Sequence, residues 1–439
     1  MARRNALLLA LCGAFLLSAC SGGGSSSSTP ALSPMATLGE KLFHDQTLSA
    51  SGHMSCSTCH VKAAGFANDD GLAIAMGGSS FPFTLPGLRN TPSLAYTAFT
   101  PRFSMDDGPV GGFFRDGRAA TLTDQAQAPF INEFEMANAD AAAVQAKLLS
   151  YNADFIAIFG PNALSDPATA LARAGAAIAA YEKEDVDFHA FNSKFDAWRA
   201  GNAQLTAQEL NGFALFNSPA KGNCAACHPS TSADGVTPAL FTDFSYDNLG
   251  VPRNNTLAAN DNSTTLPYVI ALDNSTDGIH NYYDLGICGP LRTDIPHNYA
   301  NGGVCGAFKV PTLRNIARTA PYFHNGVFND LKTALSFYVT RDTNPSAWYP
   351  TSPSGIVTKF DDLPAVYGGQ FQVDINAPGS DVGYVGNVNT SEAPYNRHIG
   401  DQPALSPAEI DDVVAFLCTL TDGSDPANAA TYVKPSQCP

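Results

Sequence analysis

Basic residues are scarce. The 439-residue chain carries 24 Lys and Arg against 40 Asp and Glu, a formal net charge of −16 at pH 7. That balance offers no cationic face for a phosphate backbone, which argues against nucleic acid as a partner. Charge of both signs is thin, at 15% of residues, while hydrophobic residues reach 44%. A core can therefore form, and wholesale disorder is excluded. Long apolar runs are missing too. Leu7–Leu17 is too short for a typical transmembrane span, and no other stretch is apolar enough. Little reads as extended sheet. Methionine is absent after Met136, and no histidine falls between His60 and His189. Both gaps restrict which side chains can reach a metal.

Glycine and proline are plentiful, 37 and 30, which predicts many turns and long connections. The ten cysteines form three groups. Cys12 and Cys20 lie near the start, after Arg3, Arg4 and the apolar run. Leu17-Ser18-Ala19-Cys20 has the form of a bacterial lipobox. It predicts a lipoprotein signal peptide over 1–19, lipidation of Cys20, and a flexible Ser/Gly-rich tether over 20–37. The plainer alternative is an ordinary cleaved signal with a chance cysteine. The lipoprotein reading places the protein in the periplasm, held to a membrane by its lipid anchor alone. Ser21 after Cys20 favours the outer membrane. Such a compartment is oxidising and preserves disulfides. Cys288, Cys305, Cys418 and Cys438 are an even set. Pairing by proximity gives Cys288–Cys305 and Cys418–Cys438, though three connectivities are possible.

The body shows a weak duplication. Leu38-Gly39-x-x-Leu42-Phe43 precedes Cys56-Ser57-Thr58-Cys59-His60, and Gly212-x-x-Leu215-Phe216 precedes Cys224-Ala225-Ala226-Cys227-His228. Two similar domains in tandem, 38–200 and 201–439, are the simplest account. Apolar residues at helical spacing predict helices over 139–159 and 167–199. Further helices are expected over 331–341 and 406–420, where Ser406-Pro407-x-Glu409 is a good start signal. Residues 229–310, rich in Asn, Asp, Thr and Gly, read as long loops. The class is mainly α.

Two C-x-x-C-H strings carry the chemistry. A c-type haem is attached through thioethers from two cysteines three apart, and the adjacent histidine turns under the ring to bind iron. Two such strings in an exported chain point to two covalent haems, on Cys56, Cys59 and His60, and on Cys224, Cys227 and His228. A shared zinc site or thioredoxin-like redox pairs are the rivals. The thioredoxin-like reading leaves the histidine in fifth place unexplained, and the α/β pattern it needs is missing.

The sixth ligand separates a carrier from a catalyst, because carriers close the iron and catalysts leave it open. With no histidine until His189, the His60 iron reads as open. Met76 and Met105 bear no mark of a ligand, and His44 and His53 read as surface residues or haem-edge contacts. For the His228 iron the candidates are His280, His297, His324, His398 or a tyrosine.

Several strings together resemble the bacterial di-haem cytochrome c peroxidase and MauG family over roughly 38–420. Besides both C-x-x-C-H strings they are Arg89-Asn90-Thr91-Pro92-Ser93-Leu94, Asp116-Gly117-Arg118-Ala119, Phe308-Lys309-Val310-Pro311-Thr312-Leu313-Arg314-Asn315 and Thr319-Ala320-Pro321-Tyr322-Phe323-His324-Asn325-Gly326. The resemblance implies two tandem cytochrome c-like domains, each carrying one covalently bound haem. It implies a distal pocket of Gln125, Pro129 and Glu135 over the first haem, with Glu135 as general acid/base for hydrogen peroxide. It implies Tyr338 as axial ligand of the second haem, as in the MauG branch. It also implies one calcium ion held by Asn90, Thr319 and Pro321. One departure stands out: the family's tryptophan before Asp-Gly-Arg is Arg115 here.

Three functions follow. The first is a peroxidase, the second haem relaying electrons from a small periplasmic cytochrome c or cupredoxin. The second is a MauG-like enzyme that oxidises a partner protein. The third is a pure electron-transfer cytochrome, which the open iron disfavours.

Overall fold

The computed structural model describes residues 31–260, 282–295, 303–377, 379–428 and 432–439. The expected signal peptide, Cys20, His280 and His297 lie outside the described residues.

Helices dominate, and sheet is confined to three two-stranded antiparallel ribbons among the described residues. The first helix, Pro34–His44, starts inside the stretch expected to be tether. Ser33 accepts a hydrogen bond from the Ala36 N–H, and Pro34 fits the first turn, where no N–H is needed. Residues 34–37, expected to belong to the tether, are therefore helical. The predicted helix over 139–159 is two helices, Ala141–Leu148 and Asn152–Phe159, separated by a tight 3-10 turn. The one over 167–199 is Pro167–Glu184, then Lys194–Arg199. It breaks because Asp185 and Ser193 turn their side chains onto the backbone N–H groups of Asp187 and Asp196. Such local bonds compete with helix propagation. Helices Leu331–Thr340 and Pro407–Cys418 form where expected, the latter opened by a Ser406/Glu409 capping box.

The duplication in the sequence is a duplication in packing. Helix Pro34–His44 crosses Pro167–Glu184, and helix Ala207–Asn217 crosses Pro407–Cys418. A side chain at Gly39 would come within 1.9 Å of the Ala177 carbonyl oxygen and 2.9 Å of the Tyr181 Cβ. One at Gly212 would meet the Asp412 oxygen at 1.9 Å and the Phe416 Cβ at 2.9 Å. Each crossing thus brings two backbones together at a glycine, with an aromatic one turn further on. Each half has its own core. The first is built on Leu42, Phe43, Phe130 and Ile178, the second on Phe216, Phe241, Val413 and Phe416. Cys288 is joined to Cys305 and Cys418 to Cys438, with Cα separations of 5.0 and 5.8 Å. Among the described residues no helix is long and apolar enough to cross a membrane.

Candidate haem sites and the pocket beside them

The two cysteine strings form one short turn each. Ser55 and Thr58 make a capping box around Cys56–Cys59, so both thiols sit on a single helical turn. The chain then loops back. Gly65 and Phe66 are both in the left-handed region (φ 64° and 60°), a conformation glycine tolerates without penalty. The Phe66 carbonyl thereby returns to within 2.9 Å of His60 Nδ1. In the second string the left-handed Asn223 leads into the turn Cys224–Ala226. His228 Nδ1 lies 2.8 Å from the carbonyl of Phe241, again a left-handed phenylalanine.

These carbonyls settle what each imidazole can do. With Nδ1–H donating to an oxygen, Nε2 keeps its lone pair, the arrangement that metal-binding histidines adopt. Burial pushes the His60 pKa down to about 4 and lowers that of His228. Both rings are therefore neutral, as a ligand must be. Cys224, Cys227 and His228 open on a cavity of about 310 Å³, large enough for a bound cofactor. The residues fit covalent haem at both strings.

Around the first string, Gln125 and Pro129 lie on helix Leu122–Ile131. Pro129 has no N–H to give to the Gln125 carbonyl, so the ladder is interrupted there. The chain turns back beyond it, Met136 N–H donating to the Pro129 carbonyl (3.1 Å). Glu135 sits on this return. Gly77 and Gly78 press against its backbone: a side chain at Gly77 would overlap the Phe134 carbonyl at 2.1 Å, and Gly78 N–H donates to the Glu135 carbonyl (3.0 Å). Asn132 Nδ2 donates to Glu135 Oε1 (2.8 Å). Loss of hydration raises the Glu135 pKa; Arg118 and Asn132 oppose that rise. The carboxylate's field reaches both Cys56 and Cys59. Glu135 and the first string therefore share one neighbourhood, while Gln125 lines the cavity on which Cys224 and Cys227 open. Asn132 and Arg118, which orient and tune Glu135, escaped the sequence reading, although Asn132 stands only three residues ahead of it.

His44 and His53 are exposed. His44 sits edge-on to Phe43 and His53 stacks on Phe81. Met105 is exposed as well. Around the second string the two described histidine rivals differ: His324 lines the cavity and His398 does not. His324 Nε2 is 3.2 Å from Asp362 Oδ2, and its ring stacks on Phe308 at 3.9 Å. His398 is more than half exposed and pairs with Asp381. Tyr338, on helix Leu331–Thr340, lines the cavity with Cys224 and Cys227 and packs on Phe323 and Tyr395. Burial raises its phenol pKa, and the nearby Asp247 carboxylate adds to the rise. Tyr395 lines the same cavity, a second tyrosine that sequence reasoning missed.

The expected calcium site does not fit. Asn90 faces the same cavity as Thr319 and Pro321, but both of its oxygens accept hydrogen bonds from Arg115. The Arg115 side-chain cation already takes the Asn90 oxygens that the metal was expected to use.

Glu182 is buried near the first string and accepts a hydrogen bond from Thr97 Oγ1 (3.3 Å). Burial raises its pKa from 4.5 to about 8. The folded protein thus holds a proton that the unfolded chain releases near 4.5. Stability is full below that pH and falls as pH rises through about 8. Glu182→Gln should flatten the melting temperature across this window; an unchanged slope would assign it to other groups.

Two turns of paired cysteines, each with a carbonyl-braced neutral histidine in a mostly helical protein, define a di-haem c-type oxidoreductase. The comparisons agree. The profile described as di-haem cytochrome c peroxidase matches residues 33–204. The methylamine utilization protein MauG of Paracoccus denitrificans is 33% identical over 409 residues, 91% of this chain and 92% of that protein. The cytochrome c551 peroxidase of Nitrosomonas europaea is 32% identical, covering 70% and 73%. The crystal structure of the diheme peroxidase BthA from Burkholderia thailandensis superimposes with a TM-score of 0.70 at 34% identity, over 90% of this chain and 87% of that one. The chain belongs to the di-haem cytochrome c peroxidase and MauG family and is a haem-dependent oxidoreductase.

Proposed function

We propose that the protein is a peroxidase that reduces hydrogen peroxide beside Glu135 and draws the electrons through the second haem site. The observation that carries this reading is Glu135, a carboxylate with a raised pKa held by Asn132 and within electrostatic reach of Cys56 and Cys59. Haem on each string supplies a redox-active iron. The protein's own residues supply the rest. Cys56 and Cys59 would hold the first macrocycle and Cys224 and Cys227 the second, with His60 and His228 as iron ligands. Glu135 moves a proton from the inner to the outer peroxide oxygen, which heterolytic cleavage requires. Gln125 donates a hydrogen bond to the peroxide or to a water, and Pro129 sets the bend that brings the helix and Glu135 together.

The repeated glycine crossings at Gly39 and Gly212 support two tandem cytochrome c-like domains, 38–200 and 201–439. The lipobox at Cys20 supports a periplasmic lipoprotein, favouring the outer membrane. The electron donor fits a small periplasmic cytochrome c or cupredoxin. A second reading, MauG-like oxidation of a partner protein, is favoured by Tyr338, because a phenolate ligand stabilises the higher oxidation state.

Holoprotein supplied with hydrogen peroxide and a reduced small cytochrome c should oxidise many equivalents of the donor. Peroxide consumption with no donor turnover would favour the partner-protein reading. No consumption at all would leave a simple electron carrier and end the proposal.

A further inference from the structure

Arg115 joins elements from both halves. The Lys309 N–H, on the ribbon strand Phe308–Lys309, donates to the Arg115 carbonyl (2.9 Å). The guanidinium reaches back to Asn90, where Nε donates to the backbone carbonyl (2.9 Å) and Nη2 to Oδ1 (2.6 Å). The Asn90 amide nitrogen is used in turn, donating to the Ala73 carbonyl (3.1 Å), which keeps Oδ1 turned to Arg115. A planar fork of donors thus takes both oxygens of one residue, a grip that lysine's single ammonium cannot copy.

The surrounding charge is also set. Arg89 holds Asp284 through two N–H groups (2.6 and 2.7 Å) and Asp116 through a third (2.7 Å). Arg118 shares Asp116 (2.9 Å). The two carboxylates are therefore committed to Arg89 and Arg118, and Arg115 adds a third positive charge. Lys309, half-buried alongside, donates its ammonium to the Gly112 carbonyl. A divalent ion entering here would meet an excess of like charge in a desolvated setting, where such repulsion is strongest.

We infer that the Arg115 guanidinium is a built-in cation at the junction of the two halves, standing in for a divalent metal ion. Asn90, Thr319 and Pro321 accordingly bind no calcium in this protein, and chelators leave it unchanged.

Metal analysis of holoprotein prepared without chelator, after exhaustive dialysis, tests this directly. The melting temperature and visible spectrum would be recorded with EGTA and with added calcium chloride. The expected result is no stoichiometric calcium and no shift with either reagent. One retained calcium per chain, or a shift on chelation, overturns the inference. Arg115→Gln frees the Asn90 oxygens and removes the charge, so this variant should bind calcium in titration calorimetry and gain thermal stability from it. Arg115→Lys keeps the charge and should stay insensitive. If Arg115→Gln folds with both macrocycles attached and ignores calcium, the guanidinium is no stand-in for an ion. If that variant does not fold, the native protein's metal content and chelator response still decide. Neither measurement depends on the peroxidase reading.

Discussion

Glu135→Gln slows the reaction with hydrogen peroxide by roughly 10²–10⁴-fold, the usual worth of a positioned acid/base. Glutamine keeps the size and the Asn132 contact but cannot carry a proton between the two oxygens. The effect falls on the peroxide step, so both strings should still carry their macrocycles and the visible spectrum at rest should change little. The raised pKa of Glu135 gives the pH dependence its sign. The group must be ionised to accept the first proton, so the rate climbs with pH through a midpoint above the ordinary glutamate value of 4.5. In Glu135→Gln that rise disappears. Stopped-flow mixing across a pH series measures both. A variant that reacts at the native rate with the native profile would remove Glu135 from the chemistry.

Tyr338→Met raises the reduction potential of the second haem by on the order of 0.2 V, within the roughly 0.8 V that axial ligands command. Tyr338 is the expected ligand, and His324, Tyr322 and Tyr395 line the same cavity. His398 is more than half exposed and pairs with Asp381, while Tyr338 shares the cavity with Cys224 and Cys227. Burial alone would hold the phenol protonated. Only a cation at its oxygen reverses that, so ligation and deprotonation come together. Spectroelectrochemical titration reads the potential. A value unmoved by the substitution would mean that the phenol does not bind iron, and Tyr395 would then be the next tyrosine to change.

Much of this was legible in the sequence because it is local. The C-x-x-C-H spacing, the Ser406/Glu409 box and the paired Gly39 and Gly212 segments each fit within a dozen residues, and their meaning survives in the fold. What escaped depends on distance. Nothing near His324 announces Asp362, 38 residues away, which takes its ring nitrogen. Arg115 was visible as a replaced tryptophan, but its grip on Asn90 crosses 25 residues and appears only when the chain closes. The helix breaks were missed for another reason. The apolar period runs on through Tyr151 and Phe188, while capping bonds from Asp185 and Ser193 compete with the ladder. Periodicity reports which face is buried and is silent on where a side chain captures the backbone.

Unequal coordination at the two sites is the central expectation: an iron left accessible beside Glu135 and one closed by Tyr338. Low-temperature electron paramagnetic resonance of the resting, oxidised holoprotein examines this without substrate or mutation. It should give a high-spin ferric signal and a low-spin ferric signal of equal weight, and peroxide should abolish the high-spin signal without prior reduction. Two low-spin signals, both indifferent to peroxide, would contradict it.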